Sequence, residues 1–149
     1  MKEKKILPPT YLFVAIVIMV ALHFLFPLAK SISFPWNLLG LLPFAAGVAL
    51  NLAADRAFKK NDTTVKPFET STFLIADGVY RLCRHPMYLG FVLLLAGIAL
   101  FMGSLSPFAV VIFFPFLMEV IFIRTEERMM EETFGDRWRE YRSTVRRWI

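Results

Sequence analysis

One long apolar run constrains this chain more than any other feature of its sequence. From Tyr88 to Met118 there are 31 consecutive residues without a charged side chain. Lipid is the natural solvent for such a run, since about 20 apolar residues in a helix cross the hydrocarbon core of a bilayer. Apolar residues make up 57% of the 149 residues, more than a soluble domain of this size can bury. The sequence predicts an integral membrane protein with a single domain, residues 1–149.

The apolar segments predict an all-α polytopic fold with about four transmembrane helices. The predicted spans cover residues 11–28, 36–54, 88–103 and 107–123, with a tight turn between the last two. Pro43 predicts a kink in the second span. No strand-like alternation of polar and apolar residues competes with this interpretation.

Glycine spacing suggests how two of these helices pack. Gly40 and Gly47 in the second span are seven residues apart, and so are Gly90 and Gly97 in the third. Residues seven apart lie on one helix face, and a face of small residues lets two backbones approach closely in lipid. Chance placement in helices that tolerate glycine explains the spacing equally well.

The positions of the basic residues predict the topology. All of the 17 Lys and Arg except Lys30 fall at the start of the chain, in residues 55–85, or in residues 124–149. Because cytoplasmic segments carry the excess of Lys and Arg, both termini are predicted inside, in the cytoplasmic membrane. These blocks flank apolar segments and form no basic face with aromatic residues between the charges, so the net charge of +5 does not indicate nucleic-acid binding. The long first span, without a cleavage site after it, argues against a cleaved signal peptide.

Two cytoplasmic segments have their own predicted structure. The loop of residues 55–85 mixes charged and apolar residues, which favours an ordered lid. The tail of residues 124–149 continues the fourth helix, breaks near Gly135, and forms an amphipathic helix with Trp138, Tyr141 and Val145 on one face. This helix is predicted to lie in the headgroup region of the bilayer.

A polar motif stands at the cytoplasmic mouth of the third span. Arg84 and His85 precede Pro86, which suits the first turn of a helix, and Tyr88 follows one turn later. An arginine beside free helix N–H groups makes an anion site. The alternative is an ordinary interfacial anchor, with Arg84 at lipid headgroups and Tyr88 in the aromatic belt.

Acidic residues at the end of the fourth span form the second candidate cluster. Glu119 lies within the apolar segment, where a carboxylate is costly and is by default a functional or paired group. Glu126 and Glu127 follow about two turns later, which places Glu126 on the face of Glu119. Pairing of Glu126 and Glu127 with nearby arginines is the structural alternative.

Other polar residues in the sequence are weaker candidates. His23, in the first span, is interpreted as a packing histidine. Cys83 lacks a partner pattern for nucleophilic catalysis. Asn51 and Asp55 either face the site or cap the second helix. With two His and one Cys, the chain has no metal-ligand spacing, and it has no glycine-rich phosphate loop after a strand.

The two clusters together resemble the signature of the isoprenylcysteine carboxyl methyltransferase family, with a related pattern in phospholipid methyltransferases. The resemblance rests on Arg84-His85-Pro86-x-Tyr88-x-Gly90 and on Glu126-Glu127, and continues through Phe134-Gly135-Asp136-x-Trp138-x-x-Tyr141. The stretch of residues 63–68 is similar to that of small prokaryotic members. The better-known members have additional spans at the front, so a prenylcysteine substrate is not carried over.

The resemblance implies a methyltransferase that uses S-adenosylmethionine, bound between membrane helices on the cytoplasmic side, and a lipophilic acceptor that enters from the bilayer. It implies cofactor-binding roles for seven residues, namely Arg84, His85, Pro86, Tyr88, Gly90, Glu126 and Glu127. Arg84 is also a candidate catalytic residue, and Glu119 is the candidate base for an amine or thiol acceptor.

Two alternatives to a methyltransferase remain open from the sequence. One is a membrane reductase of the sterol-reductase type, which binds NADPH. Such enzymes carry an Asn where Met87 stands here and lack the Glu-Glu pair. The other is a membrane scaffold without enzymatic activity, which would bind no cofactor.

Overall fold

Helices account for nearly all regular structure in the computed structural model, which describes residues 6–62, 69 and 71–149. In these residues the pairing of β type is confined to an isolated bridge between Lys30 and Ser104. The fold is therefore all-α, as predicted. The helices are α1 (Pro8–Leu25), α2 (Leu41–Lys60), α3 (Pro86–Met102), α4 (Pro107–Met118), α5 (Arg124–Phe134) and α6 (Asp136–Thr144). Short 3₁₀-helices cover Trp36–Gly40 and Gly78–Arg81, and a π-helical turn, Glu119–Ile123, joins α4 to α5.

Three helical segments are long and apolar enough to cross a membrane: Pro8–Leu25, Trp36–Lys60 and Pro107–Phe134. Their outward faces carry large apolar side chains, with Phe24 75% exposed and Phe113 71% exposed. Such faces suit lipid and not water. These segments agree with a polytopic membrane protein, while α3, at 17 residues, is shorter.

Helix α3 lies at the centre of the bundle. Its residues Leu95 and Ala99 are completely buried, and they belong to an apolar core shared with α1 and α4. On its other side α3 crosses α2 at glycines. A Cβ atom added to Gly47 would lie 2.6 Å from the Gly90 carbonyl oxygen, and one added to Gly97 would lie 2.6 Å from the Gly40 oxygen. The glycine faces thus meet, as the packing interpretation of their spacing predicts.

The helix boundaries differ from the predicted spans in ways that proline explains. Helix α1 ends at Leu25, not at residue 28, because Pro27 follows. The predicted kink at Pro43 is wrong: this residue lies in the first turn of α2, directly after the 3₁₀-helix, where a missing N–H costs little. Helix α2 continues to Lys60, past the predicted end at residue 54.

Both predicted breaks in the second half of the chain are confirmed. Gly103 ends α3 in the left-handed conformation with φ of 73°, and α4 begins at Pro107. Gly135, with φ of 53°, separates α5 from α6. Positive φ angles of this kind favour glycine because it lacks a Cβ atom.

The predicted headgroup position of the α6 apolar face is wrong. Trp138 and Tyr141 are only 3% and 7% exposed, and they pack on Ala54, Leu74 and Ile75. The face is covered by α2 and by the segment that follows residue 71, so protein replaces lipid as its partner. Amphipathicity shows that a helix has a face to cover, but not what covers it.

Candidate active site

The first turn of α3 positions the two basic residues of the site. Pro86 begins the helix and His85 precedes it. The backbone N–H of Arg84 donates to the carbonyl oxygen of Arg146, at 2.9 Å, which fixes the approach of the chain to α3. Arg84 and His85 therefore project from an anchored backbone and not from a free loop.

The side chain of Arg84 is buried, with 7% exposure, between α5 and α6. Its Nη2 atom lies 2.9 Å from Glu127 Oε1, and its Nη1 atom donates to the Arg142 carbonyl oxygen at 3.2 Å. The guanidinium centre is 5.7 Å from the centre of the Trp138 ring, within range of a cation–π interaction. Among the described residues the buried Nε atom of Arg84 has no hydrogen-bond partner.

Glu127 is the shared acceptor behind the site. Its side chain is 9% exposed, and its Oε1 atom faces Arg84, His85 Nε2 at 3.3 Å, and Arg147 Nε at 3.1 Å. Arg147 Nη2 donates to the second oxygen, Oε2, at 2.6 Å. A buried carboxylate needs paired charges of this kind. The free energy it loses on leaving water is much larger than the stabilisation that a single surface ion pair provides.

Glu126, its neighbour on α5, faces the other way. The Tyr88 hydroxyl donates to Glu126 Oε1 at 2.6 Å, and His85 Nδ1 lies 3.6 Å from Oε2. The Tyr88 ring also stacks on Phe122, with 6.1 Å between ring centres. Tyr88 thus joins the polar cluster to the apolar core.

The charges in the cluster change how its cationic groups titrate. Burial lowers the pKa of His85, but hydrogen bonds to Glu126 and Glu127 outweigh burial, so its pKa is raised above 6.5. Burial lowers the pKa of Arg84 more than the Glu127 carboxylate raises it, so the pKa lies below its ordinary value, yet an arginine remains charged at neutral pH. His85 therefore favours the protonated form, and the site holds three cationic side chains when Arg147 is included.

A cavity of about 230 Å³ opens beside this cluster. That volume is just below the range of about 300–1,000 Å³ typical of ligand pockets. Its wall is mostly apolar and aromatic, with methionines from α5 and a few polar groups. The residues that line the cavity include Leu7, Phe58, Tyr80, Arg84, His85, Pro86, Tyr88, Phe91, Glu126, Met129, Met130 and Trp138.

Most of the sequence-predicted binding residues meet at this cavity. They line it from two separate parts of the chain: Arg84 and His85 directly before α3, Pro86 and Tyr88 in its first turn, and Glu126 in α5. Glu127 stands behind them and contacts Arg84 and His85 instead of the cavity. The prediction that two distant clusters come together is confirmed as geometry; their binding roles stay predictions.

Two predicted site residues lie elsewhere. Gly90 faces α2, where an added Cβ atom would collide with Asn51, so its position serves helix packing. Glu119 does not line the cavity. Its Oε1 atom accepts from Arg147 Nη1 at 2.9 Å, and Arg124 Nη2 lies 3.5 Å away. The role of Glu119 as a base stays a prediction, and the observed contact is an ion pair.

The weaker candidates have structural partners. His23 Nδ1 is 2.6 Å from the Ser104 hydroxyl, which agrees with the packing interpretation. Asn51 donates to the Gly47 carbonyl oxygen within α2, and Asp55 pairs with Lys59. Cys83 is fully buried, and burial raises the pKa of its thiol. In the described part of the chain no group of three or more His, Cys, Asp or Glu could hold a metal ion.

The predicted lid is described only in part. Residues 63–68, which carry part of the family resemblance, and residue 70 lie outside the described residues. From residue 71 onward the segment folds over the cavity, where Ser71, Leu74 and Ile75 are buried and line it. This half of the loop is ordered against the site.

The sequence does not identify three residues of the site. It presents Arg147 only as one of the basic residues that predict the topology, it predicts Trp138 in the headgroup region, and it assigns no role to Tyr80. Tyr80 lines the cavity, and its carbonyl oxygen accepts from the Tyr141 hydroxyl at 2.6 Å. An aromatic residue in the loop beside the motif is a weak signal, but the sequence contains it.

Comparison with known families gives one match over most of the chain. The profile of the family described as phospholipid methyltransferase matches residues 36–137. This region contains α2, α3, α4, α5 and the start of α6, and therefore both polar clusters described above.

Individual relatives point the same way. The protein-S-isoprenylcysteine O-methyltransferase of Schizosaccharomyces pombe is 33% identical over 75 residues, which cover 48% of this chain and 30% of that protein. An uncharacterized protein of Haemophilus influenzae is 36% identical over 63 residues, which cover 42% of this chain and all of that protein.

A solved structure shares the architecture. The eukaryotic intramembrane Ras methyltransferase ICMT (isoprenylcysteine carboxyl methyltransferase) superposes with a TM-score of 0.72 at 26% identity, covering 95% of this chain and 52% of that one. The chain thus spans about half of that protein, and its match to the Schizosaccharomyces pombe relative covers less than a third of that relative's length. Together with its long apolar helices, this likeness makes the chain an integral membrane protein.

Proposed function

Because the chain belongs to the phospholipid methyltransferase family, we propose that it transfers a methyl group from S-adenosylmethionine to a lipophilic acceptor in the cavity beside Arg84 and Glu126. The observation that carries the proposal is the meeting of these two charges at one apolar, aromatic cavity. A scaffold protein has no need of buried charges around a cavity, since each costs desolvation energy.

The residues present fit S-adenosylmethionine. Two buried donors from cavity-lining residues, Arg84 Nε and Trp138 Nε1, lack a partner among the described residues. Such donors suit an anionic group, and an arginine suits a carboxylate in particular. Glu126 suits an amino group or ribose hydroxyls. The faces of Tyr80, Tyr88 and Trp138 suit a sulfonium cation.

The residues of the chain contribute binding, orientation and exclusion of water. When bound, S-adenosylmethionine supplies a methyl group on a good leaving group, so the reaction needs alignment more than acid, base or metal assistance. Alignment of two reactants can contribute about 7–11 kcal/mol. Arg84 and Glu126 hold one reactant by its polar groups, and the segment from residue 71 covers the cavity from water.

The acceptor is proposed to be lipophilic because the lining of the cavity is mostly apolar. Leu7 from the start of α1, Phe58, Phe91 and Met129 offer no hydrogen bonds from their side chains. A carboxylate, an amine or a thiol could each accept the methyl group. Since Glu119 pairs with Arg147 outside the cavity, an acceptor already ionised at neutral pH demands least of this site.

Four spans in one domain, with both termini in the cytoplasm, are part of the proposal. Helix α3 is shorter than the other spans but apolar, and α4 returns beside it. A helix shorter than the hydrocarbon core is accommodated by local thinning of the bilayer or by flanking residues. The distribution of Lys and Arg supports a cytoplasmic site in the cell membrane.

The proposal is tested by a binding titration on the purified protein in detergent. We expect S-adenosylmethionine and S-adenosylhomocysteine to raise the melting temperature, and NADPH to leave it unchanged. Stabilisation by NADPH alone would overturn the methyltransferase assignment and favour a reductase. Stabilisation by none of the three would favour a scaffold.

Activity is tested with a labelled methyl group and a total membrane lipid extract. We expect label in the organic phase with the unchanged protein, and little label with Arg84→Gln. The matched control is Arg137→Gln, which alters an exposed arginine of α6. Equal labelling by the Arg84→Gln and Arg137→Gln proteins would contradict the assigned site.

A further inference from the structure

The last residues of the chain, 145–149, return to the site and contact Arg84 and Glu127. The backbone of this segment is fixed at one point by the hydrogen bond from the Arg84 N–H to the Arg146 carbonyl oxygen. At another point Trp148 packs against the apolar core formed by α1, α3 and α4. The side chain between these two anchors is Arg147.

Arg147 binds two carboxylates on different parts of one long helix. Its Nε and Nη2 atoms donate to the two oxygens of Glu127 at 3.1 and 2.6 Å, in a fork-to-fork arrangement. Its Nη1 atom donates to Glu119 Oε1 at 2.9 Å. Glu119 begins the π-helical turn and Glu127 lies in α5, so Arg147 bridges the junction between these elements.

Glu127 in turn orients the two residues at the cavity. Its Oε1 atom faces Arg84 Nη2 at 2.9 Å and His85 Nε2 at 3.3 Å, and all of these side chains are at most 9% exposed. The acidic side chains of the cluster are Glu119, Glu126 and Glu127, and its basic ones are Arg84, Arg124, Arg147 and protonated His85. Arg147 contacts both Glu119 and Glu127.

We propose that Arg147 is a positioning residue, which holds Glu127 in place and thereby sets the orientation of Arg84 and His85 at the cavity. Arg147 itself does not line the cavity and touches no reactant there. For ligand affinity, the inference rests on the proposed function; for the electrostatics of the cluster, it stands independently.

Loss of Arg147 has a definite electrostatic consequence. Without it, Glu127 has only Arg84 and His85 as partners, so both are drawn more strongly toward Glu127 and away from the cavity. His85 is faced by Glu126 and Glu127 from α5, by Tyr88 from α3, by Arg84 from its own segment and, across Glu127, by Arg147. Removing one positive charge from this set raises the pKa of His85 further.

The test is a histidine NMR titration combined with ligand binding. The chain has two His, and the signal of His85 is assigned by its loss in His85→Gln. In Arg147→Gln we expect the pKa of His85 to rise by about one unit, and the affinity for S-adenosylhomocysteine to fall about tenfold. Arg147→Lys keeps the charge but not the fork, so the pKa of His85 should return while the affinity recovers only in part.

Arg146→Gln is the matched control, because the Arg146 side chain is exposed and only its carbonyl oxygen contacts Arg84. We expect this variant to keep both properties. An unchanged His85 pKa in folded Arg147→Gln, or equal losses in Arg146→Gln, would overturn the inference. If Arg147→Gln does not fold, unchanged affinity in Arg147→Lys would overturn it. If the unchanged protein binds no S-adenosylhomocysteine, the proposed function fails, and the titration still decides the electrostatic inference.

Discussion

The two neighbouring glutamates of α5 differ in what remains free for a ligand. Both oxygens of Glu127 are taken by arginines, and its Oε1 atom also faces His85. Glu126 lines the cavity and has one short hydrogen bond, from the Tyr88 hydroxyl, with His85 Nδ1 at the longer distance of 3.6 Å. Adjacent residues on a helix point about 100° apart, so one carboxylate is structural while the next remains available.

Glu126→Gln is expected to weaken binding of S-adenosylhomocysteine about tenfold without unfolding the protein. The amide keeps the size of the side chain and an acceptor for Tyr88, but it loses the charge, and hydrogen bonds to charged groups contribute about 1.5–3 kcal/mol. Calorimetric titration in detergent measures the effect. Glu132→Gln, at an exposed position on the same helix, is the control and should bind normally; equal affinity in both variants would remove Glu126 from the site.

Raising the pH is expected to destabilise the protein through His85. Its folded-state pKa lies above 6.5 because its hydrogen bonds to Glu126 and Glu127 outweigh burial. Its contribution to stability is therefore complete below about pH 6.5 and is lost as the pH rises through the folded-state pKa.

Melting temperatures measured from about pH 6 to about pH 9 give this loss directly. Burial also raises the pKa of Cys83, which adds a loss of the same sign at higher pH. The contribution of His85 is thus the difference between the unchanged protein and His85→Gln. A pH step that persists in His85→Gln would contradict the assignment.

At the residue scale the sequence predicts groups that follow a local rule. Arg84 and His85 stand before a helix that begins with proline, so their placement is readable. The prediction that Glu126 lies on the face of Glu119 is wrong, because the π-helical turn Glu119–Ile123 shifts the helical period. Arg147 instead bridges Glu119 to Glu127, while Glu126 lines the cavity. Arg147 obeys no such rule. Its partner Glu127 is 20 residues away, across the turn at Gly135 and the whole of α6. No sequence pattern distinguishes Arg147 from the other basic residues of the tail; only its contacts in the tertiary fold do.

At the element scale, the α2–α3 crossing shapes the fold behind the site. The two helices meet backbone to backbone at Gly47 and Gly90, and again at Gly40 and Gly97. In lipid no hydrophobic effect drives helices together, so close packing and small residues must supply the association. Arg84 and His85 directly precede the first turn of α3, and the crossing therefore also fixes where the site begins.

Gly47→Ala is expected to destabilise the protein by about 1–3 kcal/mol, the usual cost of overpacking. The added methyl group would lie 2.6 Å from the Gly90 carbonyl oxygen, and a backbone atom cannot move aside as a flexible side chain can. Unfolding in detergent by added denaturing surfactant measures the loss. Ala46→Val adds volume on the exposed face of the same helix and should have little effect; similar losses in both variants would show that the crossing is not the cause.

The type and limits of a helix are easier to predict from the sequence than the segments it packs against. The long apolar runs predict helices, and Gly103 and Gly135 mark the breaks, because these features are local. What an apolar face packs against is not local. The sequence places Trp138 and Tyr141 correctly on one face of α6, yet that face packs on α2 and on the segment after residue 71.

At the scale of the whole molecule, both polar clusters lie at the same end of the α3–α4 hairpin. Arg84 and His85 precede α3, and Glu126 and Glu127 lie beyond the π-helical turn that follows α4. The connection between α1 and α2 lies at the other end, where Ser31 N–H donates to the Gly103 carbonyl oxygen in the α3–α4 turn. The topology of the hairpin therefore decides on which side of the membrane the cavity opens.

A cytoplasmic site requires the α1–α2 connection to lie outside and α6 to lie inside. We expect a membrane-impermeant maleimide to label Ser33→Cys in intact cells, and to label Arg137→Cys only after permeabilisation. Both positions are exposed, whereas the native Cys83 is completely buried and contributes little background. The reverse labelling pattern would place the cavity outside. An S-adenosylmethionine site there would lack its intracellular methyl donor, so this outcome would contradict the proposed function as well as the topology.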